Sequence, residues 1–186
     1  KEDKMVVRII HLDENGNLLE EDKQTATEET ESSEETTDKE EANADEADSD
    51  EEEAAEAEAD EAEAELEAAI EVENDLRSEI VTYALQFVGN RYKYGGTNPN
   101  TGVDCSGFTS YVMRHAAEVE LPHSSGGQSR MGRQVSSSEM RPGDIICYGS
   151  GKRINHVALY IGNGQIVHAS TERTGIKVTK WRYRTR

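Results

Sequence analysis

The chain has 186 residues and a formal net charge of −19, an average that describes no part of it. Residues 20–75 hold 28 Asp and Glu against 2 Lys, whereas residues 76–186 hold 15 Lys and Arg against 7 Asp and Glu. No run approaches the roughly 20 apolar residues that a membrane-spanning helix needs, and no signal peptide is legible after Lys1.

Residues 5–12 alternate loosely and end at the turn signal Asp13-Glu14-Asn15-Gly16-Asn17. This reads as one strand and turn of a cut-off upstream module, so residues 1–19 are expected to be its remnant. Residues 20–53 are rich in Glu, Thr, Ser and Asp without an apolar period. Such a stretch cannot bury enough surface to offset chain entropy, which predicts disorder. Residues 54–73 change to alternating Ala and Glu, good helix formers, with Leu66 and Ile70 as a thin apolar stripe. Repulsion between acidic neighbours three and four apart predicts a fraying helix there. Residues 20–75 are therefore expected to be an acidic linker, helical in part near 54–73.

From residue 76 the pattern becomes that of a folded domain, and 111 residues suffice for one core. Ile80, Val81, Ala84, Leu85 and Val88 recur at helical spacing and stop at Gly89, predicting a helix over 76–88. Residues 92–99 read as loop, and a second helix is expected from near Asp104 to about Ala117. Three to five short strands follow, punctuated by Pro142-Gly143, Gly149-Ser150-Gly151, Gly162-Asn163-Gly164 and Thr174-Gly175. Helices first and antiparallel strands afterwards make an α+β domain, with the N-terminal helices packed on the sheet.

Two segments carry chemistry. Cys105, in Asp104-Cys105-Ser106-Gly107-Phe108, falls on the first turn of the second predicted helix. A cysteine attacks as thiolate, and the positive end of the helix dipole faces that sulfur while free amides there can receive an oxyanion. On its own, Cys105 reads first as an ordinary buried helical cysteine. The second segment is the predicted hairpin around Gly162-Asn163-Gly164, with His156 on one arm and His168 on the other. A plain two-residue turn on Asn163-Gly164 would put the two imidazoles on opposite faces. A bulged three-residue loop over 162–164 would pair Ala158 with His168 and bring both rings to one face, roughly 7–8 Å apart on the diagonal. In that register His156 can serve as base and His168 as the group that orients it.

The remaining candidates are plainer. Cys147 lies in a strand-like run and reads as a small buried hydrophobe. His11 falls outside the domain, His115 on the exposed flank of the second helix, and His123 in a loop able to rim a cleft. A zinc site fits poorly, because neither cysteine has a ligand partner at short spacing and the histidine pair lacks a third ligand.

Taken together these residues resemble the NlpC family of cell-wall cysteine endopeptidases, a compact papain-like fold. The resemblance rests on Tyr92-x-Tyr94-Gly95-Gly96, Gly102-Val103 leading into Asp104–Phe108, Leu121-Pro122 with Ser124-Ser125 and Gln128, Arg141-Pro142-Gly143-Asp144, and residues 156–169, in that order. It covers nearly all of residues 76–186. It implies Cys105 as nucleophile, His156 as general base, His168 as orienting residue, and Tyr92 as a hydroxyl beside the oxyanion. It also implies Asp104 and Ser106 as positions that can hold a substrate amine. By the same resemblance the substrate is the peptidoglycan stem peptide, cut between D-glutamate at its γ-carboxyl and a diamino acid, with no metal or organic cofactor. The expected location is secreted or wall-associated, as a monomer that binds no nucleic acid, and an upstream SH3-like module would suit residues 1–19. His123 departs from the arginine common in relatives, and Cys147 from an aromatic. An amidase or acyl-transferring enzyme of the same fold, and a catalytically silent wall-binding module, are the alternatives. The acidic segment reads as a spacer, or as an electrostatic tether that folds back on the basic domain.

Overall fold

The computed structural model describes residues 3–10, 50–150 and 153–182, with no side-chain description for 3, 50–63 and 65. Eleven elements follow one another in these segments: β1 (Asp3–Arg8), α1 (Asp50–Leu85), β2 (Thr97–Asn98), β3 (Gly102–Val103), α2 (Cys105–Ala117), α3 (Ser125–Gln128), β4 (Arg133–Val135), β5 (Ile145–Ser150), β6 (Arg153–Gly162), β7 (Gln165–Thr171) and β8 (Gly175–Lys180). Six strands form one antiparallel sheet in the order β4-β1-β5-β6-β7-β8, and β2 and β3 make a small ribbon. This is the α+β architecture expected, with helices on an antiparallel sheet.

The core follows from strand alternation. Val7, Ile145, Cys147, Val157, Leu159, Val167 and Ala169 point to the helical side, where they meet Ile80, Ala84, Phe87, Phe108, Val112 and Met113. Val6, Ile146, Tyr148, Ala158, Tyr160 and Ile166 form a second apolar cluster, joined by Met140 and Trp181. Both faces of the central strands are thus covered.

Three expectations change. The strand near residue 5 belongs to this sheet and not to a separate module: β1 lies between β4 and β5, pairing Val6 with Val135 and with Ile146. Six alternating residues cannot reveal which sheet they join. What draws β1 in is long-range, because Arg8 clasps Asp144 through Nε–Oδ1 (3.1 Å) and Nη2–Oδ2 (3.0 Å). The turn at 13–17, His11 and the disorder expected over 20–49 lie outside the described residues. The two predicted helices are one, α1, running continuously from Asp50 to Leu85. Its Leu66 and Ile70 stay exposed, at 60% and 49%, so the thin stripe finds no partner among the described residues. The helix also ends before Gly89, whose N–H is taken by the Ile176 carbonyl at 2.8 Å.

Where α1 meets the sheet, Arg77 is buried and donates to Glu73 (2.7 Å), Asp144 (3.2 Å), the Pro142 carbonyl (2.8 Å) and the Ile10 carbonyl (2.9 Å). Asp144 is fully buried between Arg8 and Arg77. A buried carboxylate is tolerated only when paired and hydrogen-bonded, and these groups together tie β1, α1 and the 141–144 turn to one another.

Candidate active site

Helix α2 begins at Cys105 because Asp104 caps it. Asp104 has extended backbone (φ −92°, ψ −178°), and its Oδ1 accepts the Gly107 N–H at 2.8 Å. The same oxygen meets Ser106 Oγ at 3.3 Å and His123 Nε2 at 2.9 Å, while Oδ2 accepts the Gly95 N–H at 2.9 Å. Gly107 lets the 95–96 loop close on the helix, since a Cβ there would lie 2.2 Å from the Gly96 carbonyl oxygen. Gln128, fully buried, braces the same turn: its amide nitrogen reaches the Ser106 and Pro122 carbonyls, each at 2.9 Å, and its Oε1 accepts from Thr109 at 2.6 Å.

The Cys105 thiol, half-buried, emerges at this helix start near the Val157 backbone of β6. The β6–β7 ladder extends from the hairpin turn to Leu159↔Val167, and Val157 lies just beyond it. Burial pushes the thiol up from its ordinary range and the Asp104 charge adds to that, against the N–H groups of Val157, Ser106 and Cys105 itself. Desolvation therefore outweighs the helix-start activation expected from sequence. Tyr92 bridges to Val103 and lies close enough for burial, then Cys105 and Asp104, to raise its phenol. Its hydroxyl is thus kept protonated.

The two imidazoles share a face. His156 Nε2 and His168 Nδ1 are 2.7 Å apart, with rings at 79° and centroids 5.0 Å apart. The register Leu159↔Val167 and Tyr160↔Ile166, continued, sets Ala158 opposite His168 as expected. The turn differs in detail. Asn163 and Gly164, both left-handed (φ 52° and 71°), make a two-residue turn closed by Gly162↔Gln165, and the extra residue is Ile161. A bulge one residue earlier than expected does the same work. A second bulge leaves Asn155 unpaired, just before His156, as pairing shifts from Tyr148↔His156 to Gly149↔Ile154.

Burial lowers His156 to about 4 and His168 to about 3, with the neighbouring His156 and Lys177 adding to the second shift. Both rings are neutral near pH 7. With Nε2 given to His168, Nδ1 is the other ring nitrogen of His156.

Several residues at the site carry no local sequence signal. Thr179 Oγ1 lies 3.1 Å from His168 Nε2, placed there by the β7–β8 pairing. Gln128 and Asp144 lie in blocks noted in the sequence, yet only their burial reveals what they hold. Cys147 is buried and unbridged, its thiol pushed up to about 12 by desolvation. His115 is exposed and stacks on Tyr111 at 4.0 Å. Among the described residues no group of three His, Cys, Asp or Glu is arranged to hold a metal, and no helix is long and apolar enough to cross a membrane.

The family profile of NlpC/P60 matches residues 89–185, the stretch holding Tyr92, Cys105, His156 and His168. The chain belongs to the NlpC/P60 family. Among NlpC/P60 relatives, the Escherichia coli K12 protein named murein DD-endopeptidase MepS/murein LD-carboxypeptidase is 42% identical over 97 residues, 52% of this chain and 51% of that one. The probable endopeptidase p60 of Listeria seeligeri is 43% identical over 90 residues, 48% of this chain and 17% of that one. The chain thus spans about half, or less, of the length of these relatives. Among solved NlpC/P60 structures, the peptidoglycan hydrolase RipB of Mycobacterium tuberculosis is 31% identical, with a TM-score of 0.53 over 60% of this chain and 61% of that one. The NlpC/p60 domain of the peptidoglycan hydrolase SagA is 34% identical, with a TM-score of 0.53 over 56% of this chain and 88% of that one.

Proposed function

We propose that this NlpC/P60 chain is a cysteine endopeptidase that hydrolyses peptide bonds in peptidoglycan stem peptides. The observation that carries the proposal is the His156–His168 bond of 2.7 Å, on the strand whose next residue, Val157, acts on the Cys105 thiol.

In the resting site both thiol and imidazole are neutral, so the proton moves as the sulfur attacks. Cys105 Sγ bonds to the stem-peptide carbonyl carbon while its proton passes to His156 Nδ1. The resulting imidazolium donates Nε2–H to His168 Nδ1. The oxyanion accepts from backbone N–H at the start of α2 and from the Tyr92 hydroxyl. His156 then protonates the departing amine as the C–N bond breaks, leaving a thioester. Water attacks that thioester, His156 takes its proton, and the carboxylate product leaves as the thiol is restored. No step calls for a metal or organic cofactor.

Two bonds are offered as the target. The first is that between D-glutamate, through its γ-carboxyl, and a diamino acid, with Asp104 and Ser106 holding a free stem amine. The second is the D,D bond of a cross-link, favoured by the name of the E. coli relative. It is favoured also by Asp104, whose two carboxylate oxygens already accept protein donors and which is only 8% exposed. Mass spectrometry of products from defined muropeptides separates them. Cross-linked dimers split to monomers mark the D,D bond, while loss of an N-terminal dipeptide marks the γ-D-glutamyl bond. Free sugar and intact stems would mark an amidase and overturn both readings. An inert wild-type chain would favour a wall-binding module.

We place the action at the bacterial cell wall, and we assign the peptidase unit to residues 76–186 together with β1. The acidic residues between are read as a spacer whose last part enters the domain as α1.

A further inference from the structure

A histidine in the orienting position poses a problem that an asparagine or a carboxylate there would not. An amide oxygen or carboxylate always presents a lone pair, whereas His168 Nδ1 presents one only when its proton resides on Nε2. If the proton were on Nδ1 instead, His168 would donate to His156 Nε2. The proton of neutral His156 would then sit on Nδ1, and the nitrogen meant to take the thiol proton would have no lone pair. The reaction therefore depends on what His168 Nε2 meets.

It meets Thr179. On β8, Lys177 stands opposite His168 and Thr179 two residues further, opposite Ile166, so Thr179 lies diagonally across the ladder on the face of His168. Its Oγ1 is 3.1 Å from His168 Nε2, in a partly buried position, and among the described residues this is the hydrogen bond the hydroxyl makes. A hydroxyl can accept from a ring N–H or donate to a ring nitrogen. Only acceptance is compatible with His156 acting as base, and only acceptance persists once His156 is an imidazolium with both nitrogens protonated.

We propose that Thr179 is a positioning residue of this site: its oxygen accepts the His168 Nε2–H, fixing the tautomer in which His168 Nδ1 receives the proton of His156 Nε2. The chain of hydrogen bonds then runs His156 Nε2–H to His168 Nδ1, and His168 Nε2–H to Thr179 Oγ1. No bond other than hydrogen bonds changes along it. The proposal rests on the Cys105–His156–His168 reading above, and adds the group that sets the polarity of the relay.

Nitrogen NMR of the full-length chain, labelled at histidine, reads the tautomer without reference to activity. Near neutral pH, His168 Nε2 should show a protonated nitrogen and Nδ1 an unprotonated one. The reverse assignment in the wild type would overturn the proposal, whether or not any variant folds. Kinetics supply the second arm. Thr179→Val, which keeps shape and removes the hydroxyl, should lower kcat about tenfold with KM within about twofold. Thr179→Ser should restore kcat to within about threefold. Equal losses in the two variants would mark packing as the cause and overturn the role. His168→Ala, measured beside them, separates the two levels. If it hydrolyses stem peptides like the wild type, the catalytic reading itself fails; if it is impaired while Thr179→Val is not, only the role of Thr179 falls.

Discussion

At the scale of single residues, the site is set by three opposing shifts. Burial raises the Cys105 thiol and lowers both imidazoles, which disfavours a resting thiolate–imidazolium pair and, on the proposed mechanism, leaves general-base attack as the route. The sign of the pH dependence follows. His156 must be unprotonated to accept a proton, and it stays so down to about 4. The acid limb of kcat/KM should therefore fall near pH 4 rather than at the ordinary histidine value of about 6.5. A limb at the ordinary value, read from rates on soluble muropeptides, would mean a solvated base. Stability follows the same direction: the unfolded chain binds protons on these histidines at higher pH than the folded one, so their contribution is present above about 6.5 and is lost as pH falls through the folded values. Replacing His168 by Asn, which keeps an acceptor for His156, should retain more activity than His168→Ala, by about tenfold or more in kcat. Equal rates would separate His168 from the base.

At the scale of elements, the start of α2 and the β6–β7 hairpin do the positioning. Helix α2 was readable from residues alone, because Asp104 is a good cap and the helical stretch ends at Ala117 where expected. The shared face of His156 and His168 was readable as one of two registers, since glycine and asparagine at 162–164 allow either turn. What decided between them, the extra residue at Ile161, is a property of the paired strands and leaves no mark in the local pattern. Thr179 was silent for the same reason, being an ordinary strand threonine until β8 is laid beside β7. The close approach of the 95–96 loop to α2 makes a direct test. Gly107→Ala should destabilise the domain and reduce activity, because the new methyl meets the Gly96 backbone at 2.2 Å, whereas Gly126→Ala, with only the Arg130 side chain at 3.8 Å, should be near neutral. Thermal melts of both variants check this, and equal melting temperatures would mean that the loop gives way.

At the scale of the whole molecule, β1 changes how the acidic segment is understood. The chain contributes a strand to the sheet, passes through the acidic residues, and returns as α1 to the same domain. The sequence could not disclose this, because the partners of β1 are Val135 and Ile146, well over a hundred residues away, and the pull is a salt bridge to Asp144 whose burial no composition predicts. A chain starting at residue 50 should lose Val6, Val7 and Arg8 from the sheet and leave Asp144 with one guanidinium fewer. Arg8→Ala should cost on the order of 3 kcal/mol in denaturant unfolding, as removal of one partner from a buried ion pair does. Its kcat should stay near that of the wild type in conditions where it is folded. A chain from residue 50 as stable as the full chain would contradict the place of β1.

The two cysteines allow the most direct test of all, because they share a chain and a fold but not an environment: Cys105 is half-buried at a helix start and Cys147 is sealed in the core. Purified wild type, Cys105→Ala and Cys147→Ala are each incubated with purified peptidoglycan, and released stem-peptide fragments are quantified by mass spectrometry. Release by the wild type and Cys147→Ala, with none above background from Cys105→Ala, is the predicted result. Fragments appearing at the wild-type rate from Cys105→Ala would contradict it.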